Sequence, residues 1–504
     1  MRRLQADPSF LDSHSTLEII LILGTVAVAA LAVAALAFRI RSRWLLAAVL
    51  ALGVAQLFGP FGFTSVALLA TCTLLPAAFW RARESLRDLR SPATIWTILL
   101  AALACWQAVS VLWSAKLGSA GYGVVFSVAL LTAFLLARDV VRRDPHGVSA
   151  AIAVASPLVI ISALAVVAFR LWPGLEGAYL LSPIARLLSE PDVILVTSSE
   201  IAIALDPIST LGVFAGVAGP PGAAGGMFEG MFDSNIPTGF QNVLDPEKAG
   251  GFFLNGNTAS LFFAITACAA AWAFVGRRHR GAHAAAVIAS LAAIVATGSK
   301  TAVLLLIALP VLALFIAFAV RRPRLGAVVG SIAVLVAAGG AAAVATIRPD
   351  AIGSGTIGDR FTLWRMVAEA FPARWFTGFG FGHWREHIVA VWPRYFPDVA
   401  TQVWPPHNML LQAWVDAGLV ALLLTLVLVA MPLVGGLRRV SEARGEPLLG
   451  SATLQSGVVV IGLVWVLLHG MADTTRFVGD NHTLPFVAVL MALAFARTDR
   501  ASVR

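Results

Sequence analysis

Apolar runs long enough to cross a bilayer recur from one end of this 504-residue chain to the other, and they restrict its fold more than any other feature. A helix needs about 20 mostly apolar residues to span the hydrocarbon, where it must satisfy its own backbone donors and acceptors. Roughly thirteen candidates lie near residues 17–38, 44–59, 63–80, 93–113, 119–137, 148–171, 256–276, 282–298, 300–320, 325–346, 408–436, 452–470 and 483–498. With 59% hydrophobic and 12% charged residues and a mean hydropathy of +0.85, the apolar content exceeds what a soluble core needs. The sequence therefore predicts an all-α polytopic membrane protein with about 12–13 transmembrane helices. Its first run is longer than a signal-peptide core of about 7 to 15 residues and lacks a convincing basic leader, so an uncleaved helix is expected.

The net charge of +9 does not indicate a nucleic-acid partner, because the arginines follow the topology. Arg39, Arg41 and Arg43; Arg81, Arg83, Arg87 and Arg90; Arg138, Arg142 and Arg143; Arg277, Arg278 and Arg280; Arg321, Arg322 and Arg324; Arg438, Arg439 and Arg444; and Arg497, Arg500 and Arg504 fall in alternate connections. Together they supply 22 of the 36 Lys and Arg residues, the pattern of the positive-inside rule. Those loops are expected to be cytoplasmic, leaving the N-terminus and the long connections 172–255 and 347–407 on the outer face. Cys72, Cys105 and Cys268 lie within predicted helices at unrelated spacings, indicating neither a disulfide framework nor a metal site.

The chain divides into an N-terminal scaffold of about six helices (1–171), an outer loop (172–255), further helices (256–346), a second outer loop (347–407) and a C-terminal helical segment (408–504). In the first loop, Gly219 to Gly226 reads as an irregular Gly-Pro-Pro-Gly-Ala-Ala-Gly-Gly segment. The second loop holds Trp364, Trp375, Trp384, Trp392 and Trp404, five of the 14 tryptophans, as expected beside a membrane interface. From Phe361 to Trp375 the apolar residues recur at spacings of three and four, with Arg365, Glu369 and Arg374 between them, which predicts an amphipathic helix resting on the bilayer. Gly378-Phe379-Gly380-Phe381-Gly382 then predicts a break, either exposing backbone N–H groups to a ligand or serving as a flexible connection.

Chemistry is concentrated at the outer ends of the later helices. Pro405 and Pro406 place the next helix start at His407 or Asn408, with unpaired backbone N–H groups pointing outward. Such an end favours anions and a neutral imidazole able to accept a proton, although a capping His and Asn would leave the same pattern. Asp416 lies about 13 Å further along, where a buried structural hydrogen-bonding role is favoured over the lining of a polar cavity. Lys300 breaks the charge asymmetry by falling on the outer side, either as a ligand contact or as a snorkelling interfacial lysine. Arg360 opens the amphipathic segment. Arg360, Lys300 and His407 together would provide two fixed cations and one general base at one membrane surface. Asn255 and Asn257 precede or open a helix, with capping favoured over ligand binding. His469 and Asp473, spaced i, i+4, read as structural, and His482 starts the last helix. Neither an Asp-x-Asp nor a His-Glu-x-x-His motif occurs in the outer loops, so no metal or other cofactor is expected.

Four ordered features resemble the O-antigen ligase and polymerase superfamily of bacterial envelope glycan enzymes. They are Gly251-Phe252-Phe253 through Asn257, Gly298-Ser299-Lys300-Thr301-Ala302, Arg360 through Trp364 leading to Gly378-Phe379-Gly380, and His407-Asn408 through Gly418. The resemblance implies a GT-C-like helical fold and a metal-independent glycosyltransferase at the periplasmic face of the inner membrane. The donor would be a glycan on a polyprenyl diphosphate, and the acceptor a hydroxyl of lipid A-core, a growing glycan or another molecule. His407 would then be the base and Arg360 the diphosphate holder, with Lys300, Asn408, Asn257 and Arg365 as candidate substrate contacts. Lys300 stands where the family usually has Arg, keeping the charge but losing the bidentate fork. Ligase, repeat-unit polymerase and protein O-oligosaccharyltransferase share these features. A lipid-linked glycan flippase or transporter is the non-enzymatic alternative, less favoured because the polar residues cluster at the surface and no internal repeat is evident.

Overall fold

The structure is a computed structural model and describes residues 16–58, 65–114, 117–180, 182–189, 247–332, 335, 355–370, 374–381, 384–396, 405–472, 476 and 478–496. Its helices are α1 (Thr16–Ala37), α2 (Ser42–Ala55), α3 (Val66–Thr73), α4 (Leu75–Leu86), α5 (Pro92–Ser110), α6 (Leu117–Arg143), α7 (Pro145–Leu171), α8 (Pro173–Leu180) and α9 (Pro183–Leu188). After residues outside the described set come α10 (Gly256–Val275), α11 (Arg280–Ala296), α12 (Lys300–Arg321), α13 (Gly355–Ala370), α14 (Trp384–Ile388), α15 (Trp392–Tyr395), α16 (Met409–Glu442), α17 (Ser451–Ala472) and α18 (Leu484–Ala494). Residues 323–332 are also helical. No strand occurs among the described residues beyond an isolated bridge between Phe58 and Ser65.

Among the described residues, seven stretches, in α5, α6, α7, α10, α12, α16 and α17, are long and apolar enough to cross a membrane. The protein is thus an all-α, multi-pass membrane protein. Each of the apolar runs in the sequence has a helical counterpart, with two qualifications. The third is broken at Leu74 into α3 and α4, and the tenth is described only as far as 332 and at 335. The segment 219–226 lies outside the described residues.

Local sequence explains where these helices begin. Asp144 accepts a hydrogen bond from the Gly147 amide and is followed by Pro145, which gives up no amide that the helix needs. Ser299 caps α12 through Ala302 N, and Asn255 caps α10 through Asn257 N and Thr258 N. At the opposite ends, arginines meet the last carbonyls: Arg439 of α16 donates to Leu493 O at the end of α18.

α18 organises the core. Its eleven residues, Leu484–Ala494, are all buried, and at 1.5 Å per residue it is about 16 Å long, too short to span hydrocarbon. It is apolar all round and packs against α2, α6, α10, α16 and α17, as a helix without a wet face must. Buried Trp96 ties α5 to two neighbours, donating from Nε1 to Leu428 O at 2.8 Å while its ring lies 4.2 Å from Phe134.

A second, smaller core sits at the end of the bundle opposite the arginine-rich turns. Leu363, Met366 and Val367 of α13 pack with Phe379, Trp384, Ile388, Trp392, Phe396 and Val415. The helix expected over Phe361–Trp375 is described as far as Ala370, and its apolar face packs against α14, α15 and the start of α16. Phe361, Trp375 and Phe376 remain exposed.

Candidate active site

α16 starts at Met409, with Asn408 as its cap. Asn408 Oδ1 accepts from Leu410 N at 3.0 Å and Leu411 N at 3.2 Å, while Nδ2 donates to Met471 O at 3.4 Å. Two donors expected to point outward are therefore already taken, and both ends of the Asn408 amide hold structure. His407 lies just outside the helix, half-buried, with a left-handed backbone (φ 48°) rare for a residue bearing Cβ. Pro406 precedes it, and its carbonyl accepts a hydrogen bond from Trp364 Nε1 at 2.9 Å.

That bond decides which arginine of α13 belongs with His407. Arg360 is one turn before Trp364, about 40° away around the helix, so it shares the face that meets Pro406. Arg365 is about 140° from Arg360 and turns to solvent. It lies 4.0 Å from Glu369 and over the Tyr395 ring at 5.9 Å. Arg360 is thus placed on the side of α13 that meets the residue before His407, and Arg365 away from it.

Lys300 is exposed in the first turn of α12, and among the described residues no polar contact joins it to Arg360 or His407. The turn before it packs on the connection entering α10. Ala249 N donates to Thr297 O, and Gly298 (φ +68°) approaches so closely that a Cβ would stand 1.9 Å from Glu247 O. The Asn257 carbonyl is 3.1 Å from His469 Nε2, and Asn408 reaches Met471 on the same helix, so α17 links the Asn257 and His407 segments from behind. Asp473, the expected partner of His469, lies outside the described residues. His482 is buried, with Nδ1 3.2 Å from Val54 O and its ring 4.5 Å from that of Phe253, a packing role.

Below this corner α16 breaks. Ala417 and Gly418 depart from helical geometry (Gly418 φ 74°, ψ −167°), freeing backbone groups that the 375–380 loop takes up. Phe379 N donates to Val415 O at 2.7 Å, Gly380 N to Asp416 O at 3.1 Å, and Leu419 N to Trp375 O at 3.1 Å. Trp106 Nε1 closes the break from the other side by donating to Ala417 O at 2.7 Å. The Gly-Phe-Gly segment is therefore neither an open anion cradle nor a slack linker: its amides clamp the kink.

A narrow cleft with a cavity volume of about 40 Å³ lies beside the kink, lined by Met409, Ala413, Asp416, Thr425, Gln107, Ser127 and Arg476 among others. Asp416 is buried and lines this cavity. Gln107 and Ser127 join at 2.7 Å. Arg476 donates to Tyr122 OH at 3.1 Å and stacks 4.4 Å from that ring, and Tyr122 OH donates to Asn481 at 2.6 Å. The N-terminal helices thus contribute to the site as well as supporting it. One signal was available in the sequence: Arg476, like Lys300, is a cation at the end of the bundle opposite the arginine-rich turns. Gln107 and Tyr122 carried none, since isolated polar residues in apolar spans have no periodicity to read.

The fold and site define a multi-pass helical membrane protein with a largely apolar cleft, carrying a few polar side chains, at the end remote from its arginine-rich turns. Residues 284–426 match the family model described as O-antigen ligase, so this part of the chain is similar to that family. The match contains Lys300, Arg360, Arg365, His407, Asn408 and the Gly418 kink, but not Asn257. No curated protein matches the chain. The family supports a ligase- or polymerase-type glycosyltransferase role with glycan and lipid-linked substrates in a membrane setting.

Proposed function

We propose that the protein transfers a glycan from a polyprenyl diphosphate to an acceptor hydroxyl at the periplasmic face of a bacterial inner membrane. The observation that carries this reading is the Trp364–Pro406 hydrogen bond, which sets the Arg360 face of α13 against the residue before His407. A guanidinium beside an imidazole suits a reaction that needs one proton removed and one diphosphate stabilised. His407 takes the proton from the acceptor hydroxyl as its oxygen attacks the anomeric carbon. The bond from that carbon to the diphosphate oxygen breaks, and Arg360 stabilises the charge that collects there. Lys300, exposed at the same face, supplies a further positive charge to the donor. The face assignment is supported by the arginine-rich turns at the other end of the bundle. In this reading the charge neutralisation comes from side chains and no metal is required.

Purified protein in lipid, mixed with undecaprenyl-diphosphate glycan with and without a lipid A-core acceptor and without added metal, tests the proposal. A ladder on the carrier identifies a polymerase, and glycan on the added acceptor identifies a ligase. His407→Ala is expected to lower transfer by about 10²-fold or more, as loss of a general base does. Full transfer by a well-folded His407→Ala protein would overturn the mechanism.

A further inference from the structure

The arginine-rich end of the bundle holds a second cavity, walled by Phe38, Trp80, Arg81, Arg83, Glu84 and Arg143 and remote in sequence from the ligase-like domain. Three arginines face one carboxylate there. We propose that this pocket binds the phosphate of an anionic phospholipid headgroup.

The pocket is built rather than incidental. Arg81 Nη2 donates to Ala37 O at 2.8 Å and Phe38 O at 3.2 Å, and Nη1 to Ser42 Oγ at 3.1 Å, which fixes the guanidinium against the end of α1. Its Nε is buried and has no hydrogen-bond partner among the described residues. Arg143 is held by Asp139 Oδ1 at 2.7 Å and donates from Nη2 to Arg81 O at 3.0 Å. The Arg83 guanidinium carbon stands over the Trp80 ring, 3.6 Å from its centroid, a cation–π contact that leaves the guanidinium's N–H donors able to grip an oxyanion. Pre-positioned guanidinium groups of this kind suit phosphate oxygens.

The surroundings favour a lipid phosphate over a soluble one. Phe38 and Trp80 are 46% and 56% exposed on the rim, where aromatic residues mark the headgroup level. Leu36 and Phe79, both exposed, extend an apolar surface from the rim along α1 and α4, a path for acyl chains. A basic pocket between helices, opening onto such a surface, has the chemistry that holds anionic lipid headgroups.

The full-length protein in detergent is titrated with phosphatidylglycerol, with phosphatidylcholine and with inorganic phosphate, followed by native mass spectrometry and thermal unfolding. Phosphatidylglycerol is expected to persist as an adduct and raise the unfolding temperature, with phosphatidylcholine much weaker. Arg83→Ala is expected to weaken phosphatidylglycerol binding about fivefold, while Arg90→Ala, an exposed arginine outside the pocket, changes nothing. If Arg83→Ala does not purify, Trp80→Ala removes the stacking platform and is expected to show the same loss. Displacement of the lipid by inorganic phosphate, with the same Arg83 dependence, would support the phosphate site and assign it to a soluble ligand. Equal binding of phosphatidylcholine, or undiminished phosphatidylglycerol binding by Arg83→Ala and Trp80→Ala, would overturn it.

Discussion

Replacing Gly418 by alanine tests whether the clamp at the α16 kink holds the site together. At φ 74° and ψ −167° the residue occupies a region essentially reserved for glycine, and strain there costs on the order of 1–3 kcal/mol. A Cβ would also stand 1.8 Å from Phe376 O, and the facing atoms are backbone that no rotamer change can move aside. The 375–380 loop must lift, which puts at risk the bonds Leu419 N to Trp375 O, Phe379 N to Val415 O and Gly380 N to Asp416 O. Each contributes about 1 kcal/mol net. Together with the strain, the expected loss is about 3–6 kcal/mol, large against the stability of most folded domains. Unfolding of purified Gly418→Ala in detergent should therefore begin at a clearly lower temperature, and limited proteolysis should cut near 375–381 at temperatures where the unsubstituted protein resists. Transfer activity should fall as well, because the same loop backs the cleft below His407. A Gly418→Ala protein with unchanged melting, cleavage and activity would refute the clamp.

Arg360→Ala and Arg365→Ala should separate cleanly in glycan transfer. The first is expected to lose about 10²-fold or more as a transition-state charge stabiliser, and the second to change little because Arg365 is turned to solvent. Equal effects would show that the helical phase inferred from Trp364 is wrong. Glu176 of α8 predicts a pH dependence of stability. Its side chain is buried, takes a hydrogen bond from the Gly250 amide and is pushed from 4.5 up to about 8 by burial. With the folded value above the unfolded one, its stabilising contribution is complete below about pH 4.5 and is lost as pH rises towards 8. The shift corresponds to roughly 5 kcal/mol as an upper bound. Glu176→Gln should flatten thermal stability between those pH values, and an unchanged pH profile would count against the burial argument.

The sequence alone determined the order and approximate bounds of the apolar runs that the described residues show as helices. A helix in lipid satisfies its own backbone hydrogen bonds, so run length and composition suffice to find it without knowing its neighbours. It also showed the arginine clusters in alternate connections, where charge cost is counted loop by loop, and three of the four ordered motifs lie within the family match. Even the divergence of Arg360 from Arg365 follows from 100° per residue once a helix is assumed. Tertiary structure decided which of these residues meet. Arg476 and Tyr122 lie 354 positions apart, and Trp106 closes a kink 311 positions away, pairings with no local periodicity. Asn408 turned out to be committed to α16 and α17, and the glycine-rich segment to the kink, because their polar groups found backbone partners nearer than any ligand. Whether a polar group is spent on the fold or left for chemistry depends on what stands within about 3 Å of it, and only the folded chain sets that distance.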